Sequence, residues 1–216
     1  MLLFCFMAVA SALEGQSGHW IPGASPLVSG QGWITVGGSW EWADSDVQRD
    51  GVILRGVFGP TDRWAVMGSG RASADGGIED IQTGLRWTAI KHKGLSVAPF
   101  LHSGWSRTGS DAIMGAAVHM ETMMGELDGS VSVFGLRSGS EGPELARPRD
   151  AAEAFEAGWT LFPTYNQELR LGVVSRREEI DLTLSMRWLG KWVLLCGDLI
   201  YWPGDLGAQA HVGLRF

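Results

Sequence analysis

Lysine is almost missing from this chain. Among its 216 residues it occurs only as Lys91, Lys93 and Lys191. A soluble β-protein normally wets its outer face with many lysines, so the chain does not read as one. Cysteine is equally scarce, at Cys5 and Cys196. With Cys5 inside a leader segment, one cysteine is left, which excludes an internal disulfide framework. Cys196 reads as a small buried side chain rather than a reactive one. Long apolar runs are absent as well. No stretch reaches the 18 or so apolar residues of a membrane helix, and the best candidate, Trp192 to Ile200, is interrupted by Gly197 and Asp198. The net charge of −7 argues against a nucleic-acid partner. No phosphate-binding loop, zinc spacing or nucleic-acid motif occurs, so no cofactor or metal is expected.

What the chain does have is apolar residues (45%), 31 glycines and 11 tryptophans. Mean hydropathy is +0.04, low for a helical membrane protein. A membrane protein of this composition must cross as strands. In hydrocarbon every backbone donor and acceptor needs an internal partner, so those strands must close into a barrel. Alternation of apolar and polar residues supports this. In 180–188, Ile180, Leu182, Leu184, Met186 and Trp188 share one face, while Asp181, Thr183, Ser185 and Arg187 share the other. Twelve strands are predicted, near 32–42, 50–58, 63–72, 79–90, 94–106, 112–122, 127–138, 152–162, 167–176, 180–188, 191–202 and 207–216. The fold class is therefore all-β, a transmembrane up-and-down antiparallel barrel of about 12 strands. Alternate turns are short, while Gly139 to Ala151 is long and charged. Aromatic residues form two girdles: Trp33, Trp64, Trp87, Trp159, Trp188, Trp192 and Phe216 at one edge, and Trp40, Trp42, Trp105, Tyr201 and Trp202 at the other. Strand parity turns Trp33, Trp192 and Trp202 inward.

Residues 1–12 are expected to be a signal peptide, with an apolar core from Leu2 to Val9 and small residues Ala10-Ser11-Ala12 before cleavage. Its first basic residue is missing, since none occurs before Arg49. Residues 13–31 read as a periplasmic lead-in or a partial plug, and 32–216 as the barrel. A lipocalin reading of Gly30-Gln31-Gly32-Trp33 conflicts with the strand count and with a polar face that lacks lysine.

The closing residues His-Val-Gly-Leu-Arg-Phe, with Val212, Leu214 and Phe216 at the apolar positions, resemble the C-terminal signature of bacterial outer-membrane barrels. The resemblance implies an outer-membrane location, contact with outer-membrane lipids, and Phe216 as a signal to the barrel assembly machinery. The run from Gly77 through Asp80, Gln82, Gly84 and Arg86 to Trp87 resembles channel-like barrels described as phenol-degradation or transporter proteins.

If the apolar face meets lipid, the other face lines the lumen. That face carries Glu41, Arg55, Arg63, Arg71, Asp80, Arg86, His119, Glu121, Glu156, Glu168, Arg170, Arg176, Asp181, Arg187, Asp198, His211 and Arg215. These charges read either as an ion-pair network filling the barrel or as the lining of a polar pathway. Lumenal Gly84, Gly104, Gly158, Gly172 and Gly213 either open that path or let strands coil tightly. The expected function is a channel or transporter for small solutes, amphipathic or apolar ones included. The alternatives are a closed structural or surface-interaction barrel and a membrane-embedded lipid hydrolase. For the hydrolase, His119 and Glu121 share a face, and Ser130 or Ser132 stands on a neighbouring strand. No catalytic residue is assigned, and the chain is not expected to be an enzyme.

Overall fold

The computed structural model describes residues 28–43, 46–73, 77–106, 109–139, 142–146, 155–164, 166–176, 179–202 and 205–216. The leader, and the lead-in up to residue 27, lie outside the described residues. Fourteen strands are present: β1 (Gln31–Ala43), β2 (Asp46–Gly59), β3 (Trp64–Ser73), β4 (Ile78–Trp87), β5 (Ile90–His92), β6 (Leu95–Ser106) and β7 (Gly109–Thr122) in the first half. The second half contributes β8 (Gly125–Gly139), β9 (Gly142–Ala146), β10 (Phe155–Thr164), β11 (Gln167–Arg176), β12 (Glu179–Leu189), β13 (Val193–Trp202) and β14 (Asp205–Arg215). Each long strand pairs antiparallel with its chain neighbour, β10 pairs β8, and β14 pairs β1. Twelve strands thus close into a barrel, with β5 and β9 as short additions beside β6 and β8. No helix occurs among the described residues.

Closure is completed by a reciprocal bond pair. Gly32 N–H donates to Phe216 O (2.9 Å), and Phe216 N–H donates to Gly32 O (3.0 Å). This edge carries the short turns, such as Thr122 to Gly125, where the Thr122 hydroxyl donates to Gly125 O at 2.7 Å. In transmembrane barrels the short-turn edge is the periplasmic one.

The alternation has the expected physical consequence. In β12, Leu182, Leu184, Met186 and Trp188 are exposed, while Thr183, Ser185 and Arg187 are buried. Outward side chains form an apolar belt around the cylinder, the surface a barrel turns to lipid. At the Phe216 edge the belt ends in aromatic pairs. Trp64 stacks on Trp87 with ring centroids 6.2 Å apart, and Phe58 stacks on Phe216 at 6.3 Å. Trp33 points inward, as parity requires. Trp192, expected inward, is instead 61% exposed, because β13 starts only at Val193 and Trp192 lies in the preceding turn.

Three details differ from the sequence expectation. The strand expected at 79–90 stops at Trp87. Its continuation, β5, turns back through Lys93 and Gly94, both at positive φ (45° and 81°), as a two-residue hairpin with right-handed strand twist prefers. The stretch 139–151, expected to be an open loop, contains β9 paired along the end of β8 from Gly135 to Gly139. Bulges also interrupt parity. Ile78 and Ile81 both face outward because Glu79 is an extra residue between β3 and β4.

The inner face is not uniformly polar. Trp33, Val57, Ala65, Met67, Leu189 and Leu194 pack together inside the barrel near the Phe216 edge, with Cys196 against them. A second cluster joins Ala98, Phe100 and Ala117. The rule that apolar means lipid-facing fails here, because these inner side chains bury one another and need no bilayer.

Candidate functional site

The polar part of the lumen is built by side chains that reach over glycines. On β10, Gly158 lies between Asp128 of β8 and Gly172 of β11 in register. Arg170 of β11 lies across Gly158, its guanidinium where a Cβ would stand. It thereby grips Asp128 with two bonds, NH2 to Oδ1 at 2.7 Å and Nε to Oδ2 at 3.3 Å. Such two-point arginine–carboxylate pairs hold orientation as well as charge. Both partners are buried.

The same device recurs around the wall. The His211 ring of β14 lies over Gly37 of β1, and the His102 ring of β6 over Gly84 of β4. Phe100 meets His102 edge-on with centroids 5.6 Å apart. Across β1, Arg55 NH2 donates to Gln209 Oε1 at 3.1 Å, and His211 Nε2 lies 3.3 Å from the same oxygen. Arg187 NH1 faces its register partner Glu168 at 3.7 Å. The space left by Gly172 is taken by Thr183 and Arg170, and that left by Gly213 by Thr35. Gly84, Gly158 and Gly172 therefore seat neighbouring polar side chains, whereas Gly213 lets the Ile34 carbonyl of the adjoining strand approach closely.

Several buried polar atoms meet no hydrogen-bond partner among the described residues: both Asp198 carboxylate oxygens, Gln209 Nε2, His211 Nδ1 and Thr183 Oγ1. Asp198 is only 2% exposed and stands between Ser185 and Gln209 in register.

Of the residues singled out from sequence, Arg55, Arg71, Arg86, His119, Glu168, Arg170, Arg187, Asp198 and His211 are buried within the barrel. Arg215 is half-buried at the Phe216 edge. Arg63, expected on the inner face of a strand, is exposed in the turn before β3. The Thr61 hydroxyl accepts from the N–H groups of Arg63 and Trp64 and prolongs that turn. Glu121, expected beside His119, is exposed next to the β7–β8 turn. The side chains of Glu41, Asp80, Glu156, Arg176 and Asp181 lie outside the described residues. His119 stands in register with Asp128, and Ser130 with Ala117.

No family model matches this chain, and no curated protein matches it in sequence. Solved barrels do match in fold. A KdgM porin solved in complex with disordered oligogalacturonate aligns with a TM-score of 0.64 at 7% identity, covering 84% of this chain and 99% of that one. The NanC porin gives 0.60 at 10% identity, covering 85% and 98%. An outer membrane channel from Pseudomonas putida F1 gives 0.59 at 9% identity, covering 92% and 100%. What they share with this chain is the fold, a closed antiparallel β-barrel. The candidates read from sequence left out Asp128, His102 and Gln209. Each sits on the inner-face parity of its strand, but Gln209 carries no charge, and period two alone does not tell which inward Asp or His meets a partner.

Proposed function

We propose that the chain is a narrow outer-membrane channel for small solutes. The observation that carries this reading is a group of buried atoms on β12 to β14 with no hydrogen-bond partner among the described residues: Thr183 Oγ1, both Asp198 carboxylate oxygens, Gln209 Nε2 and His211 Nδ1. Leaving such a group unsatisfied costs about 1–3 kcal/mol. A dry, sealed barrel would bear that cost at each, whereas a hydrated lumen supplies the partners. Barrels of about 8 strands are filled by side chains and those of 16–18 hold aqueous channels. Twelve lies between, which suits a tight passage. The inward apolar clusters beside these polar groups suit amphipathic solutes. Asp128–Arg170 and Glu168–Arg187 would act as its selectivity elements. Phe216 would serve as the assembly signal, read by the barrel assembly machinery.

A second reading, a closed structural barrel, is favoured by the depth of burial of the lumenal charges, with Arg170, Glu168 and Asp198 each 2% exposed. Planar-bilayer recordings separate the two. Small, ion-selective conductance is expected, raised in a Glu168→Ala, Arg187→Ala double variant. A folded protein without conductance, before or after that change, would establish the closed barrel.

A further inference from the structure

At the Phe216 edge a cavity of about 200 Å³ lies between the β12–β13 turn and the β1–β14 seam, bordered by Gln31, Trp33, Lys191, Trp192, Arg215 and Phe216. It is smaller than a drug-sized site, which begins near about 300 Å³. At about 30 Å³ per water, it has room for a headgroup, not for a whole lipid. Its polar groups are mostly donors. Lysine, arginine and the indole N–H donate and cannot accept. Trp33 is 5% exposed, and its Nε1 is buried with no hydrogen-bond partner among the described residues. Gln31 Oε1 is buried in the same way and could accept from a hydroxyl. Among the described residues that border the cavity, none is an aspartate or glutamate; its one acid group is the Phe216 carboxyl, an oxygen of which accepts from Gly32 N–H at 2.9 Å, against the two cations Lys191 and Arg215. Aromatic side chains border it as well. Lys191 Nζ stands 5.3 Å from the centre of the Trp192 ring, and Phe216 continues through Phe58 into the outer aromatic girdle.

We propose that this cavity binds the head of an anionic amphiphile, a phosphate ester or carboxylate carrying an alkyl chain. Its oxygens accept from Lys191, Arg215 and Trp33, while its chain lies along Trp192 and Phe216 at the level of the girdle. A pocket with two cations beside the exposed aromatic side chains of Trp192 and Phe216 suits both halves of such a molecule. Two sources offer this chemistry: a phospholipid of the adjoining leaflet, or a free amphipathic acid. The site does not depend on conduction, since a sealed barrel would carry it equally.

Calorimetric titration of the folded full chain in neutral detergent tests the proposal. The probes are dihexanoylphosphatidylglycerol, decanoate and inorganic phosphate. Saturable binding of the lipid is expected, weakened about tenfold by Lys191→Ala, the loss of one charge-assisted contact, and also weakened by Trp192→Ala. Decanoate binding as tightly, with the same losses, assigns the free acid as a source; lipid binding alone assigns the leaflet. Lys93→Ala, at another turn of this edge, should leave the affinity unchanged, and heat-modifiable gel mobility reports that each variant is folded. The proposal is overturned if inorganic phosphate binds as tightly as the lipid, if no probe binds, or if Lys191→Ala and Lys93→Ala act alike.

Discussion

Replacing Leu184 by arginine puts a charge on the outer face at mid-height of β12. Leu184 stands in register between Leu171 and Leu199, and all three are exposed on the belt. An arginine at the bilayer midplane of such a barrel costs about 2–4 kcal/mol, falling to about 0–1 near the interface. At tenfold per 1.4 kcal/mol, that is roughly 30- to 700-fold in the folded-to-unfolded ratio. With a urea slope of about 2 kcal/mol per molar, the unfolding midpoint in lipid vesicles should fall by about 1–2 M. Met186 and Trp188 share the face and lie progressively nearer the Phe216 edge. The losses should therefore rank Leu184→Arg above Met186→Arg above Trp188→Arg. Thr183→Arg is a different perturbation. Thr183 is 5% exposed, and its side chain fills the space over Gly172. Overpacking there costs about 1–3 kcal/mol, in detergent as in lipid. The reasoning fails if the three outward substitutions show no depth gradient, or if Leu184→Arg costs no more in lipid than in detergent.

Arg170→Ala should destabilise the barrel by about 3–5 kcal/mol, because it leaves the Asp128 carboxylate buried without its cation; adding Asp128→Ala should recover most of the loss in the same urea assay. Gly158→Ala should force the Arg170 guanidinium off its path across β10. Its cost should be strongly non-additive with that of Arg170→Ala, and full additivity would show that the two do not share one interaction.

Most of the barrel was legible because a strand with one face in lipid repeats strictly at period two. β12 could be read residue by residue, and Trp64 with Trp87 marked the edge before any pairing was known. The failures have physical causes. A bulge adds one residue without changing composition, so the turn in parity at Glu79 left no mark. The apolar cluster of Val57, Met67 and Leu194 was invisible because period two tells two faces apart without saying which is wet. The site was legible as a set of charges but not as pairs. Arg170 meets Asp128 across an intervening strand and 42 positions of chain. Only the closed register shows that Gly158 leaves the way clear.

Strand β8 gives its outer edge to two different neighbours. Glu126 to Val131 bond to β10 and complete the cylinder, while on that same edge Gly135 to Gly139 bond to β9; the other edge of Gly135 to Ser138 stays paired with β7. Wall and hairpin are thereby divided along one edge of a single strand. β9 can lengthen, shorten or change sequence without altering a rung of the β8–β10 ladder that seals the barrel. A lineage carrying this fold could thus vary what it presents beyond the membrane while inheriting the wall unchanged.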